Sequence, residues 1–364
     1  MKISSRMDSS QFEVDIVVLG KIVKNQQFNA DQLRTIELNK KPGNDPKILL
    51  KLARIFKKNQ YDIIYTHAWN TLLEGYIPAV LARTPVKIHG EHGTFERSPK
   101  KDRLQRSIWG RFDAVTVVAA DLQNKMRDLF GYTKENVTVV YNGIDVTKLH
   151  PSAEKRQAFR EAHGLAGKFL VGTVGRFHPV KDHFTLIRGF ARFRASVPEA
   201  RLLFVGKETD DLYPEYTKLM DELGVREDVV LVDPTPDVDK IYAALDVFVL
   251  SSISEGCSNV ILESLGCGAP VLATRTGGNP ELVQENINGL LFKVGDDKGL
   301  ADRLMQLYND AAMRKAFGAA GSKYIHEHFT IENTVRNYEN LYRKLYEHKR
   351  RAGAIPDISV AYGQ

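Results

Sequence analysis

Short apolar runs rich in β-branched and aromatic residues recur along this chain, and each is followed by a longer segment with helical periodicity. In the first half the runs are Phe12–Leu19, Tyr61–Thr66, Val86–His89, Ala114–Val118 and Val137–Tyr141. In the second half they are Phe169–Val174, Leu202–Val205, Val229–Val232, Val247–Leu250 and Val271–Thr274. Nearly continuous apolar strands separated by amphipathic segments mean parallel sheets covered by helices on both faces. A length of 364 residues provides for two such domains. The turn-rich Asn142-Gly143-Ile144-Asp145, then Pro151, a charged helix from Glu154 to His163, Gly164 and Gly167 mark a junction near residue 150. The expectation is an α/β chain with one doubly wound domain over 1–150 and a second over 151–330. An amphipathic helix over 331–349, carrying Val335, Tyr338, Leu341, Tyr342 and Leu345 at helical spacing, is expected to pack back toward the first domain, with a tail over 350–364. Ligands of such sheets bind outside the carboxyl ends of the strands, so two facing sheets would share one cleft.

Composition narrows the function classes. The apolar runs are far shorter than the roughly 20 residues that cross a bilayer, and the N-terminus has no signal-like apolar stretch, which leads to a cytoplasmic expectation. Cys257 and Cys267 are the two cysteines. They cannot form a tetrahedral metal site by themselves, and in a reducing compartment they are expected to pack as small residues. Residues 1–150 hold 24 Lys and Arg against 16 Asp and Glu, while the remainder holds 27 against 29. A basic front half beside a near-neutral back half implies that one domain meets something anionic. Between Arg97 and Arg111 stand six cations and one acid, Asp102, with Trp109 among them. This stretch suits peripheral contact with anionic lipid at the inner face of a membrane, or a phosphorylated acceptor, or simply a solvated face. Nucleic acid is not expected, since no aromatic platform or recognition motif accompanies the charge.

Three strand ends in the second half carry unusual chemistry. The first reads Val174-Gly175-Arg176-Phe177-His178-Pro179-Val180-Lys181-Asp182, ahead of a helix starting near His183. Cations beside a helix N-terminus form an anion-binding arrangement; two solvated surface charges fit the same pattern equally well. The second runs from Ser251 to Glu263. Gly256 permits a tight turn, Ser258 or Asn259 can cap the helix that starts there, and the free amides can receive a phosphate. Glu255 precedes that helix and Glu263 lies within it. A carboxylate accepts two hydrogen bonds, which suits a vicinal diol; a helix-surface role is the plainer alternative, weakened by the position of Glu263 between Leu262 and Leu265. The third, Ala273 to Glu281, places Gly277-Gly278 at a strand end, for close approach to a ligand or for a plain turn.

The spacing of Glu255 and Glu263 is the glutamate, seven residues, glutamate signature of retaining glycosyltransferases, and its setting resembles glycosyltransferase family 4. Glu255-Gly256 through Glu263-Ser264-Leu265-Gly266-Cys267-Gly268-Ala269-Pro270-Val271 falls in that family's order. So do Gly175-Arg176 with Lys181-Asp182, Gly277-Gly278 with Glu281, Asn288-Gly289-Leu290-Leu291, and Tyr141-Asn142-Gly143-Ile144-Asp145. The resemblance covers residues 10–345 and implies the GT-B fold, two Rossmann-like doubly wound domains facing across a cleft. It implies that Arg176 and Lys181 hold the diphosphate of a UDP- or GDP-linked sugar, and that Glu263 accepts the ribose hydroxyls. Glu255 with the amides of Gly256, Cys257, Ser258 and Asn259 would orient the transferred sugar. His92, in His89-Gly90-Glu91-His92-Gly93, matches the family's acceptor-side histidine, with His67 a weaker candidate. No cofactor and no metal is expected.

The implied activity is transfer of a sugar to a saccharide or lipid-linked hydroxyl acceptor with retention, in polysaccharide, lipopolysaccharide or glycolipid assembly. An epimerase-like GT-B enzyme and an inactive sugar-nucleotide-binding protein are the alternatives. Family members open with a strand, a glycine-rich loop and a helix ahead of the segment resembling Phe12–Leu19, and this sequence begins after them. The resemblance therefore implies a first domain without its central strand, with sheet edges exposed unless a neighbouring segment fills the gap, and with activity in question.

Overall fold

A computed structural model describes residues 3–21, 33–41, 43, 45–93, 99–206 and 212–353. Arg97, Ser98 and the tail beyond residue 353 lie outside them. The chain divides into two compact units, one formed by residues 1–141 with 332–364 and one by residues 142–331. The junction expected near residue 150 thus lies at 141/142. Residues 142–151 are tied to the second unit: Ile144 N donates to Phe329 O at 2.9 Å, Ile331 N donates to Ile144 O at 2.8 Å, and His326 Nε2 lies 3.3 Å from Leu149 O.

The first unit holds two parallel sheets. One pairs β1 (Asp15–Val18) with β2 (Arg34–Glu37); the other runs β3 (Ile63–His67), β4 (Val86–Glu91), β5 (Ala114–Val117) and β6 (Val137–Val139), in that order. The helix Pro46–Asn59 begins with proline in its first turn and Asp45 as cap, Lys47 N donating to Asp45 Oδ1 at 3.1 Å. Its buried stripe Ile48, Leu52, Phe56 sits in one cluster with Val17 and Ile36 of the strand pair and Ile64 of β3, so one helix seals apolar surface from both sheets. A second cluster joins Val86, Ile88, Ala114 and Val140 to Tyr338 and Tyr342 of the terminal helix Ile331–Arg351, flanked by Ile3, Met7 and Phe12. The basic stretch forms the helix Pro99–Trp109, exposing Lys100, Lys101, Arg103 and Arg106. Trp109 does not join that surface: it is fully buried and packs against Phe130 and Tyr132.

The second unit is one six-stranded sheet in the order β12 (Gly289–Phe292), β11 (Val271–Thr274), β10 (Val247–Leu250), β7 (Phe169–Val174), β8 (Ala200–Val205) and β9 (Val229–Val232). All neighbours are parallel. The order reverses between β7 and β10, which makes their carboxyl ends the topological switch point where such sheets take ligands. Every strand expected from the sequence is present; β2 and β12 are additional. No helix among the described residues is long and apolar enough to cross a membrane.

Candidate functional site

The loops after β7, β10 and β11 interlock. Ile253 N donates to Val180 O at 2.8 Å, and Ser251 Oγ donates to Lys181 O at 2.8 Å, joining the first two. Thr274 Oγ1 donates to Ser252 O at 2.6 Å and Thr276 Oγ1 to Ile253 O at 2.9 Å, joining the last two. Gly277 has φ +53°, and a Cβ there would sit 1.9 Å from Glu255 O, so only glycine lets these turns touch. The close approach that the paired glycines allow is therefore made to the protein's own backbone.

Within this frame Lys181 Nζ lies 2.6 Å from Glu255 Oε1, which also accepts from Ser252 Oγ at 2.6 Å. Residues 74 positions apart in sequence are thus brought together at the switch point. Arg176, on the same loop as Lys181, is exposed. Asp182 adopts φ +44° and caps the helix His183–Ser196, accepting from Thr185 N at 3.2 Å and Thr185 Oγ1 at 2.6 Å. The helix Asn259–Gly266 starts after Ser258, as the sequence indicates, but the Ser258 side chain makes no capping hydrogen bond. Its Oγ is buried without a partner at the mouth of that helix. A buried hydroxyl beside free helix-start amides is a donor array that a phosphate would satisfy. Asn142 Nδ2 donates to Asn259 Oδ1 at 3.0 Å and to Cys257 O at 3.3 Å. Glu263, one turn into the helix, accepts from Tyr242 Oη on Oε2 at 2.9 Å. Cys257 and Cys267 are buried free thiols, and burial raises the pKa of Cys257 to about 12. Sequence reasoning missed Ser252, whose only signal is its place just past a strand, and Tyr242, whose apolar neighbours make it look like core.

His183 lies beneath the first loop, 2% exposed among Phe177, Phe204 and Tyr216. Its Nε2 is 3.2 Å from Arg176 O and carries the proton of the neutral ring; Nδ1 has no partner. Burial lowers its pKa to about 4, the bond to the Arg176 carbonyl opposing and the Lys181 charge adding to the fall. The folded value lies below the unfolded one near 6.5, so the unfolded chain takes up this proton first. Stability is complete above about pH 6.5 and is lost as pH falls toward 4. Roughly 2 kcal/mol is expected to disappear between pH 7 and pH 5. Urea midpoints of the native chain and of His183→Phe check this: the variant should lose that part of the pH slope, and parallel slopes would show that the ring does not titrate.

In the first unit, the carboxyl ends of β3 and β4 carry three histidines. His89 is fully buried, with Nδ1 2.7 Å from Thr66 Oγ1 and Nε2 3.0 Å from Glu91 Oε1. The same oxygen of Glu91 accepts from Trp109 Nε1 at 3.0 Å and from Gln105 Nε2. This network fixes the end of β4, just before His92. His92 is exposed, and its Nε2 lies 3.0 Å from Nδ1 of His67, with the rings stacked 5.3 Å apart. Both residues are exposed, yet desolvation by the surrounding chain holds both below the usual histidine pKa, the charge of His92 adding to the fall at His67 and Glu91 opposing it at His92. Ala68, directly after His67, has φ +58° and ψ 172°, a conformation normally left to glycine, which marks a strained strand end. His67 and His92, taken separately in the sequence, form one pair. Among the described residues no cluster of three or more His, Cys, Asp or Glu side chains is arranged to hold a metal ion.

The profile described as Glycosyltransferase Family 4 matches residues 2–148, and that described as Glycosyl transferases group 1 matches residues 155–324. N-acetyl-alpha-D-glucosaminyl L-malate synthase of Bacillus anthracis is 27% identical over 330 residues, 89% of this chain and 85% of that protein. UDP-Gal:alpha-D-GlcNAc-diphosphoundecaprenol alpha-1,3-galactosyltransferase of Escherichia coli is 27% identical over 315 residues, 82% of this chain and 79% of that protein. Among solved structures, Anabaena Alr3699/HepE in complex with UDP and glucose superposes with a TM-score of 0.82 at 21% identity, covering 93% of each chain.

Proposed function

The chain belongs to glycosyltransferase family 4 and has the GT-B fold, and from that premise we propose that it transfers a sugar from a UDP-linked donor to a hydroxyl acceptor in glycoconjugate assembly. The observation that carries the proposal is the array at the β7–β10 switch point. There Arg176, Lys181, the buried Ser258 hydroxyl and the start of the helix Asn259–Gly266 offer donors to an anion, beside the carboxylates of Glu255 and Glu263. Arg176 and Lys181 take the diphosphate, Glu263 the ribose and Glu255 the sugar; His92, steadied by His67, serves the acceptor side. UDP is favoured over GDP because the relative from Escherichia coli is named for a UDP-galactose donor.

Transfer proceeds with retention. The acceptor oxygen bonds to the anomeric carbon on the face from which the diphosphate departs, the anomeric C–O bond to phosphate breaks, and the acceptor proton passes to the leaving phosphate oxygen. Lys181, Arg176 and the helix-start amides stabilise the charge that grows on that phosphate, without a resident metal.

Calorimetric titration tests the donor site. UDP is expected to bind saturably and more tightly than GDP, and Glu263→Ala is expected to weaken UDP about ten- to a hundredfold, the worth of hydrogen bonds to a charged group. Equal affinity in Glu263→Ala would move the donor elsewhere. With donor and acceptor together, the product should keep the donor's anomeric configuration by proton NMR and form equally fast in EDTA. With donor alone, the nucleotide sugar should be recovered unchanged, which an epimerase would not allow.

A further inference from the structure

Tyr242 is fully buried in the helix Val238–Ala244, its ring edge-on to Phe248 at 5.7 Å. Its hydroxyl donates to Glu263 Oε2 at 2.9 Å. Burial, then the neighbouring Glu263 charge and the hydrogen bond to it, raises the phenol pKa far above its ordinary value, so the group stays protonated. The helix that carries it is clamped. Arg156 Nη1 donates to the carbonyl oxygens of Ala243, Ala244 and Leu245 at 3.2, 3.0 and 2.6 Å, closing the helix end directly after Tyr242. A glutamate has three rotatable bonds, and a carboxylate aimed at a diol must hold one direction to accept both hydroxyls. The Tyr242 hydroxyl, fixed by its helix and by the packed ring, supplies that direction.

We infer that Tyr242 is a positioning residue for nucleotide recognition: its bond to Oε2 orients Glu263 to receive the ribose hydroxyls of the donor. The inference rests on the proposed donor site, and it concerns a residue that does not itself touch the nucleotide.

The experiment compares UDP with 2′,3′-dideoxy-UDP on the native chain and on Tyr242→Phe, which keeps the ring. The native chain should prefer UDP by tenfold or more, and Tyr242→Phe should lose most of that preference by binding UDP about five- to tenfold more weakly and the dideoxy nucleotide as before. In turnover the change should appear mainly in KM for the donor rather than in kcat. If the native chain does not distinguish the two nucleotides, the assignment of Glu263 to the ribose fails. If it does, and Tyr242→Phe distinguishes them equally or weakens both alike, the donor site stands and the role of Tyr242 is overturned. Should Tyr242→Phe not fold, Tyr242→Met fills the same space without a donor and is measured identically. Unfolding of both would assign the hydroxyl to stability and overturn the inference.

Discussion

Lys181→Ala is expected to lower kcat about 10²- to 10³-fold at saturating donor, the usual loss when one donor to a developing negative charge is removed. Lys181 is the only Lys or Arg among the described residues that forms an ion pair with Glu255. Both side chains are largely withdrawn from solvent, at 16% and 13% exposure, so the ammonium works in a medium where charge is weakly screened. The substitution also strands the Glu255 carboxylate, which keeps the hydrogen bond from Ser252 Oγ but loses its counter-charge. Lys181→Met with Glu255→Gln separates the two effects, since it removes both charges and leaves little electrostatic reason to unfold. Transfer assays on folded single and double variants should show both far below the native chain. A single variant that folds and turns over within about threefold of native would remove Lys181 from leaving-group stabilisation.

The second large effect concerns stability. Asp246→Ala is expected to cost about 3–5 kcal/mol, as measured by the urea midpoint of the native chain and the variant. Asp246 follows the loop that enters β10, and its carboxylate is 13% exposed. Oδ1 receives Arg156 Nη2 at 2.5 Å, while Oδ2 receives Arg160 Nη2 at 2.6 Å and Leu170 N at 2.7 Å. One acid therefore neutralises two guanidiniums and ties the start of β7 to that of β10. Its removal leaves two cations packed against carbonyl oxygens that compensate only part of their charge, and it loosens the Arg156 clamp behind Tyr242. Asp246→Asn, which keeps the shape and one acceptor, should fall between. A loss below about 1 kcal/mol in the alanine variant would mean that the guanidiniums swing out to water.

Ten of the twelve strands among the described residues were legible because their sequences are nearly unbroken apolar runs, as in Val247–Leu250, where all four residues are buried. β2 was not. Its sequence, Arg34-Thr35-Ile36-Glu37, is exposed at both ends and gives no apolar run to see. β12 has a motif in Asn288-Gly289-Leu290-Leu291 but a run too short to stand out from a turn. The placement of Glu255 and Glu263 about one helix start was readable from spacing, since Gly256 and the polar residues before Val260 announce the turn. The partners of those carboxylates were not readable. Lys181 meets Glu255 because β7 and β10 are neighbours in the sheet, and Tyr242 meets Glu263 because two helices pack. Such contacts depend on strand order and packing, which local pattern does not encode. Trp109 shows the converse: it stands among cations in the sequence, yet helical geometry turns it inward with Gln105 and Ile108.

The first unit closes only with a helix from the far end of the chain, and this governs the order of events on the ribosome. Residues 3–141 emerge first, and Val86, Ile88, Ala114 and Val140 must wait for Tyr338 and Tyr342. Between them comes the whole second unit, residues 142–331. At a synthesis rate of about 5–20 residues per second, that interval lasts roughly 10 to 40 s. For that time the nascent chain carries an open apolar sheet face while its neighbour folds. Chaperone demand should therefore peak while residues 142–331 are being made, and premature stops between residues 142 and 331 should yield sticky fragments.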